Sequence, residues 1–179
     1  MINVKIFPRL TLSQNGGSKV DRDEILTAAV RLFGEKARKL DRLVKRAIDD
    51  ANKSPHRMEA RFDYSREEHS NRAAEIGGQL ENARDIGYYL QELERAGVHA
   101  TETVTAGSVV EFMLGEEAMT GLILPFNGGD SIEVSGQTIL TISLQSPLGL
   151  ALINRQAGKE YSYTTPNGTQ RKMKIVKIY

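Results

Sequence analysis

The chain contains no cysteine and no tryptophan. Without thiols it has no disulfides, no thiolate zinc sites and no sulfur nucleophile, which fits the reducing cytoplasm. No apolar run approaches the ~20 residues that a membrane-crossing helix needs. Met1 to Leu12 also lacks the basic, apolar and small-residue succession of a cleaved leader, so a cytoplasmic protein with no membrane partner is expected. Nor is there an excess of either charge: 24 Lys and Arg face 23 Asp and Glu, a net charge of +1. Bulk charge therefore does not make this a polyanion-coating protein, and any nucleic-acid contact has to be local. The three histidines, His56, His69 and His99, show no metal-ligand spacing and read as surface residues. No motif pairs a Ser, Thr or Tyr with a base, so an independent hydrolase has no support. Asn127-Gly128-Gly129-Asp130 lacks the Gly-Lys-Ser/Thr of a phosphate loop and reads as a turn.

What the chain does have is two halves with different rhythms. Its 179 residues, 40% of them hydrophobic, suffice for one ordinary domain or two small ones. From Asp21 to about Lys53, Leu26, Val30, Phe33, Ala37, Leu40, Val44, Ala47 and Ala51 step by alternating fours and threes, the seam of a coiled coil. Asp21 and Glu24 give a capping-box-like start after the helix-breaking Gly16-Gly17-Ser18. A second run, from about Ser65 to Ala96, carries Ala73, Ile76, Leu80, Ala83, Ile86, Leu90 and Leu93 on one stripe and closes at Gly97. The two seams match, and two helices of about thirty residues, each roughly 45 Å long, form an antiparallel hairpin with Pro55 at its tip. No third or fourth long helix is present to complete a bundle.

After Gly97 the chain turns to Val, Ile, Thr and Tyr, punctuated by Gly, Asn and Pro, the composition of strands and turns. Expected strands are Ser108 to Leu114, Met119 to Leu124, Thr138 to Leu144, Tyr161 to Thr165 and Lys172 to Tyr179. Asn127-Gly128-Gly129 and Pro166-Asn167-Gly168 supply the turns. Ser146-Pro147 reads as the cap and first residue of a short apolar helix, Leu148 to Ile153. Met1 to Gln14 is either a strand at Ile2 to Phe7, ended by Pro8, or a loose extension. The expected organisation is an extension over 1–20, a coiled-coil hairpin over 21–97 with its tip near 54–64, and an α+β domain over 98–179.

Ile142-Ser143-Leu144-Gln145-Ser146-Pro147-Leu148-Gly149-Leu150-Ala151-Leu152-Ile153, then Gly158-Lys159-Glu160, Thr165-Pro166-Asn167-Gly168 and Ile175-Val176-Lys177-Ile178, resembles the terminal signature of the Gre family of bacterial transcription factors. Gly107-Ser108-Val109-Val110 is similar to the first strand of that family's terminal domain. Ala60-Arg61-Phe62-Asp63-Tyr64-Ser65-Arg66-Glu67-Glu68 is similar to the segment that opens the family's second helix. The resemblance implies an α+β protein of two domains, a coiled-coil hairpin followed by an FKBP-like small antiparallel sheet with a short helix. It implies an accessory factor rather than an enzyme, probing RNA polymerase by docking the FKBP-like domain on the rim of the secondary channel and passing the hairpin toward the active centre. Ser146, Pro147, Leu148 and Ala151 would then contact the polymerase. No cofactor is intrinsic; two tip carboxylates help to hold a second Mg²⁺ of the polymerase, with hard oxygen ligands suiting that ion, and backtracked RNA is cut at its 3′ end.

The tip departs from the family. In the alignment that matches Phe62-Asp63 and Arg66-Glu67-Glu68, the acids of the Asp-Leu-x-Glu-Asn-type motif fall on Pro55 and Met58, neither of which binds magnesium. The acids near enough to substitute are Asp49 and Asp50, closing the first helix, and Glu59 and Asp63, opening the second. Asp63 has the competing role of a helix cap, and Asp50 that of a solvated surface charge. The expectation is therefore a channel-inserting regulator, with stimulation of transcript cleavage left open because the tip acids are displaced or missing.

Lys36, Arg38, Lys39, Arg42, Lys45 and Arg46 concentrate positive charge on the first helix. Lys36, Lys39, Arg42 and Arg46 are candidates for contact with the nascent RNA 3′ end or the channel wall, and such phosphate contacts are salt-sensitive. The same residues also fit a solvated flank paired with Glu35 and Asp41. Two other functions stay open. A prolyl isomerase needs an aromatic-lined pocket, for which this half offers only Phe112, Phe126, Tyr161, Tyr163 and Tyr179. A coiled-coil adaptor would oligomerise, but the alanine-rich seam favours close packing within one chain and hence a monomer.

Overall fold

The computed structural model describes residues 21–53, 60–97, 101–165 and 167–179, with residue 53 and residues 60–66 as backbone alone. The possible strand at Ile2 to Phe7, the His56 and His99 positions, Pro166 and the centre of the tip lie outside these residues. Two long helices come first, α1 (Arg22–Lys53) and α2 (Ala60–Ala96). Asp21 starts α1: its carbonyl accepts from the Ile25 amide at 3.2 Å and its Oδ1 from the Asp23 amide at 3.2 Å. Asp23 and Glu24 add negative charge to the first turn, where the helix dipole favours it. Gly97, at φ 56°, closes α2 in the left-handed conformation that glycine adopts without Cβ cost. α2 begins at Ala60, earlier than the expected Ser65. Asp63 therefore lies inside the first turn instead of capping it.

Six strands and a third helix follow: β1 (Val109–Leu114), β2 (Glu117–Leu124), β3 (Ser131–Val134), β4 (Gln137–Ser143), α3 (Pro147–Leu152), β5 (Glu160–Thr164) and β6 (Gln170–Ile178). The sheet order is β3-β4-β2-β1-β6-β5. All neighbours are antiparallel except β2 and β4, which run parallel from Thr120↔Ile139 to Leu124↔Ser143. The cause of the parallel pair is β3, a strand not expected from sequence. The chain leaves β2, reverses at the sheet edge through β3 and returns beside β2 in the original direction. The fold class is otherwise as expected, a helical hairpin followed by a small sheet domain with one short helix.

The sheet is covered on both faces. On one, the base of the hairpin contributes Ile25, Leu26, Ala29 and Phe33 from α1 and Ile86 and Leu90 from α2, packed with Val109, Leu122, Leu124, Ile132, Val134 and Ile139. On the other, Leu152 of α3 is buried among Val110, Phe112, Ile123, Met173 and Ile175, with Leu148 and Ala151 packed half-buried against them. Phe33 and Leu90 are essentially fully buried, and burial of such side chains stabilises by about 1.5–3 kcal/mol each. The hairpin base and the sheet thus share a core. Gly107, at φ 85°, is required at that junction, because a Cβ there would press on Leu93 and the Tyr89 hydroxyl.

Beyond Phe33 and Ile86 the hairpin leaves the sheet and is held by its own seam. Leu40, Leu80 and Ala83 are its buried centre, with Ala37, Val44 and Ile76 alongside. The twenty residues after Phe33, through Lys53, extend it by about 30 Å at 1.5 Å per residue.

Candidate functional site

The far end of α1 carries Asp49 and Asp50, both exposed. Adjacent positions on a helix point about 100° apart, so the two carboxylates leave α1 in different directions and do not form a chelating pair by themselves. Glu59 and the side chain of Asp63 lie outside the described residues. Among the described residues no group of three His, Asp or Glu side chains is placed to hold a metal ion. Ile48, 46% exposed, is an apolar residue near the same end that sequence reasoning did not single out.

The cations of α1 divide into two sets. Lys36 spans the junction with the sheet: its Nζ lies 2.8 and 3.0 Å from the two carboxylate oxygens of Asp130 and 5.6 Å from the centre of the Phe33 ring. It is engaged within the molecule. Lys39, Arg42 and Arg46 are exposed on the projecting part. Arg42 donates from Nε to the Arg38 carbonyl at 3.3 Å, which aligns its side chain along the helix. Arg38, Arg42, Lys45 and Arg84 surround an open groove of ≈ 580 Å³ on the hairpin flank, with Asp41 as its one acid. Asp41 meets Lys45 at 2.8 Å and Arg84 of α2 at 3.3 Å. The hydrogen bond from Lys45, aided by the charges of Lys45 and Arg84, holds the Asp41 carboxyl below its ordinary value. Arg84 is the residue of this flank that sequence reasoning missed. The available signal was the charge pairing of facing seams, in which Arg84 sits one turn from Leu80 on the side of Asp41.

At the opposite end, the sequence around α3 folds as its residues dictate. Ser146 caps the helix, accepting from the Gly149 amide at 3.0 Å and donating to the Ser143 carbonyl at 2.7 Å, and Pro147 takes the first position. Gly149 has no alternative, since a Cβ there would run into the Ser143 carbonyl. These contacts set which residues of the helix face outward. Pro147 is exposed, whereas Leu148 and Ala151 are turned partly into the second core and Ser146 is engaged in the cap. Leu150, 63% exposed, is the prominent apolar side chain on the outer side. Of the residues expected to dock, Pro147 is thus the most exposed.

Residues 99–179 match the family described as transcription elongation factor, GreA/GreB, C-terminal. Among solved structures, the chain is similar to Gfh1 of Thermus aquaticus, at 20% identity over 87% of this chain and 92% of that one with a TM-score of 0.35. GreA factor homolog 1 (Gfh1) of Thermus thermophilus gives 21%, 88%, 94% and 0.32. A prokaryotic transcription elongation factor GreA/GreB from Nitrosomonas europaea gives 22%, 54%, 78% and 0.32. Overall superposition at that level carries no argument of its own; the family match does. No curated protein sequence matches the chain significantly.

Proposed function

We propose, from the match of residues 99–179 to the GreA/GreB C-terminal family, that the chain is a Gre-family accessory regulator of bacterial RNA polymerase that acts by filling the secondary channel. The observation that carries this reading is the projecting hairpin, about 30 Å of paired helix beyond the sheet, rooted in a core it shares with the family domain. A rod rooted in that way transmits docking of the sheet domain into placement of the tip. Pro147 and Leu150 on the outer side of α3 meet the channel rim, and Lys39, Arg42 and Arg46 face its wall or the extruded RNA. Their phosphate contacts make binding weaken as salt rises.

The tip does not support transcript cleavage. Pro55 and Met58 stand where the family's acids would stand, and Asp49 and Asp50 diverge around α1. The Mg²⁺ ions belong to the polymerase, which supplies the chemistry in this family. Occupancy is then the mode of action.

The test is a stalled, backtracked bacterial elongation complex mixed with the purified protein, scored for co-migration with polymerase and for release of short 3′ RNA fragments. Co-migration at low salt without fragments is the expected result. Fragment release would mean that Asp49, Asp50, Glu59 or Asp63 serves as a tip acid, and failure to co-migrate at low salt would refute polymerase binding.

A further inference from the structure

Up to Phe33 and Ile86 the hairpin packs into the core of the sheet, and beyond them its buried centre is Leu40, Leu80 and Ala83. At the boundary between these parts each helix carries a glycine, Gly34 beside Phe33 in α1 and Gly87 beside Ile86 in α2. The two stand level. Thr27 of α1 donates its hydroxyl to Glu94 of α2 at 2.6 Å; Gly34 follows Thr27 by seven residues, and Gly87 precedes Glu94 by seven. In antiparallel helices those steps are the same two turns toward the tip. A Cβ at either glycine would meet nothing within 4 Å among the described residues, so close packing does not call for glycine there. What glycine brings to a helix is a softer backbone, since its φ and ψ are the least restricted of any residue's.

On either side of this level the two helices are tied to each other. The base shares the sheet core and has the Thr27–Glu94 bond, and the projecting part has its seam and the pair of Asp41 with Arg84 at 3.3 Å. A polar contact crosses from one side to the other. Lys36, two residues beyond Gly34, places its Nζ 2.8 and 3.0 Å from the carboxylate oxygens of Asp130 on the sheet. Asp130 is a fixed post: its amide donates to Thr141 Oγ1 at 2.9 Å, and its carbonyl accepts from the Thr141 amide and hydroxyl, each at 2.9 Å. Thr141 itself is buried in β4. We propose that Gly34 and Gly87 form a hinge at the root of the projecting hairpin, and that Lys36 with Asp130 is the latch that holds it at one tilt. Hinges of this kind concentrate the change in φ and ψ at a few small residues and leave the bodies on either side intact. α3 packs on the opposite face of the sheet, so the tilt sets the angle between the tip and that helix. An exposed ion pair shifts a two-state balance by up to about fivefold, which favours one tilt without locking it.

Distances between pairs of spin labels in the full chain, which has no cysteine of its own, test this. Ser70→Cys with Ser162→Cys measures the projecting part against β5, and Gln91→Cys with Ser162→Cys measures the base against it; all three positions are exposed. A tilt of about 10° moves position 70, about 25 Å beyond Gly87 along α2, by about 4 Å. Lys36→Ala is expected to broaden or displace the 70–162 distance distribution by about that amount. Adding Gly34→Ala and Gly87→Ala is expected to return a single narrow distribution, and the 91–162 distribution stays the same in every variant. An unchanged 70–162 distribution in Lys36→Ala overturns the proposal. So does broadening that survives both alanines, which would put the bend elsewhere in the hairpin, and so does equal broadening of 91–162, which would make Lys36 a support of the whole junction.

Discussion

The hairpin is one structure by pattern and two by packing. Its lower part packs Phe33, Ile86 and Leu90 into a cluster drawn from both helices and the sheet. Its upper part relies on a two-helix seam with Leu40, Leu80 and Ala83 at its centre, and farther out the seam positions are Ala47, Ala51 and Ala73. In the middle of α2 stand Gly77 and Gly78, and a Cβ at either would meet nothing within 4 Å. Neither glycine is there to let another group approach. Packing depth is therefore concentrated where the hairpin meets the sheet, and reach is obtained from helices holding little more than each other.

The largest expected effect lies at the base. Phe33→Ala removes a ring that is 1% exposed and should cost about 3–5 kcal/mol. Because the core is shared, helix signal and sheet signal should be lost together in a denaturant titration. Separate transitions would show that the two regions are less coupled than their packing indicates. The upper part should respond in the opposite direction. Gly77→Ala with Gly78→Ala should stabilise α2 by about 1 kcal/mol per site, because alanine fits the helical backbone and the space is open. Amide exchange in α2 beyond Ile76 should slow while the base is unchanged, and loss of stability would mean that the glycines answer a packing need.

A smaller effect is expected at Tyr179, just beyond the end of β6. Tyr179 donates its hydroxyl to Glu111 Oε1 at 2.5 Å, and Tyr179→Phe should cost about 1 kcal/mol near neutral pH. Burial, with the Glu111 hydrogen bond and charge, pushes the Tyr179 phenol up to about 12 from an ordinary 10. The folded state thus holds the proton more tightly than the unfolded one. The resulting stability is complete below pH 10 and is lost as pH rises toward 12. A urea titration repeated across that range should show the loss in the natural chain and a smaller loss in Tyr179→Phe; identical slopes would exclude the assignment. Smallest of all is Lys36→Ala. An exposed pair such as Lys36 with Asp130 is worth at most about 1 kcal/mol, so the variant should leave thermal stability nearly unchanged.

The elements visible in the sequence were those whose pattern is long or chemically marked. Two matched seams gave α1 and α2, and Ser146-Pro147 gave the start of α3, because a capping hydroxyl and a prolyl ring have few other uses in that order. β3 escaped because Ser131-Ile132-Glu133-Val134 offers only two apolar positions between glycine-rich turns, too short for alternation to register. With it went the direction of β4 relative to β2. At the site, the exposed cations of α1 were legible as a charged face, but the engagement of Lys36 by Asp130 was not, since it joins residues brought together only by folding of the sheet against α1. The outward position of Leu150 depends likewise on Gly149 sitting against Ser143, a contact that helical periodicity does not encode.

The most direct measurement of the central claim uses the natural absence of cysteine. Single variants Asn52→Cys, at the exposed end of α1, and Leu150→Cys, on the outer side of α3, would each carry a photo-crosslinker into a backtracked elongation complex. The probe at position 52 is expected to react with the RNA 3′ end or the wall near the active centre, and the probe at 150 with the channel rim. Reaction of both probes with the same outer surface, or of neither with polymerase, would contradict the central claim.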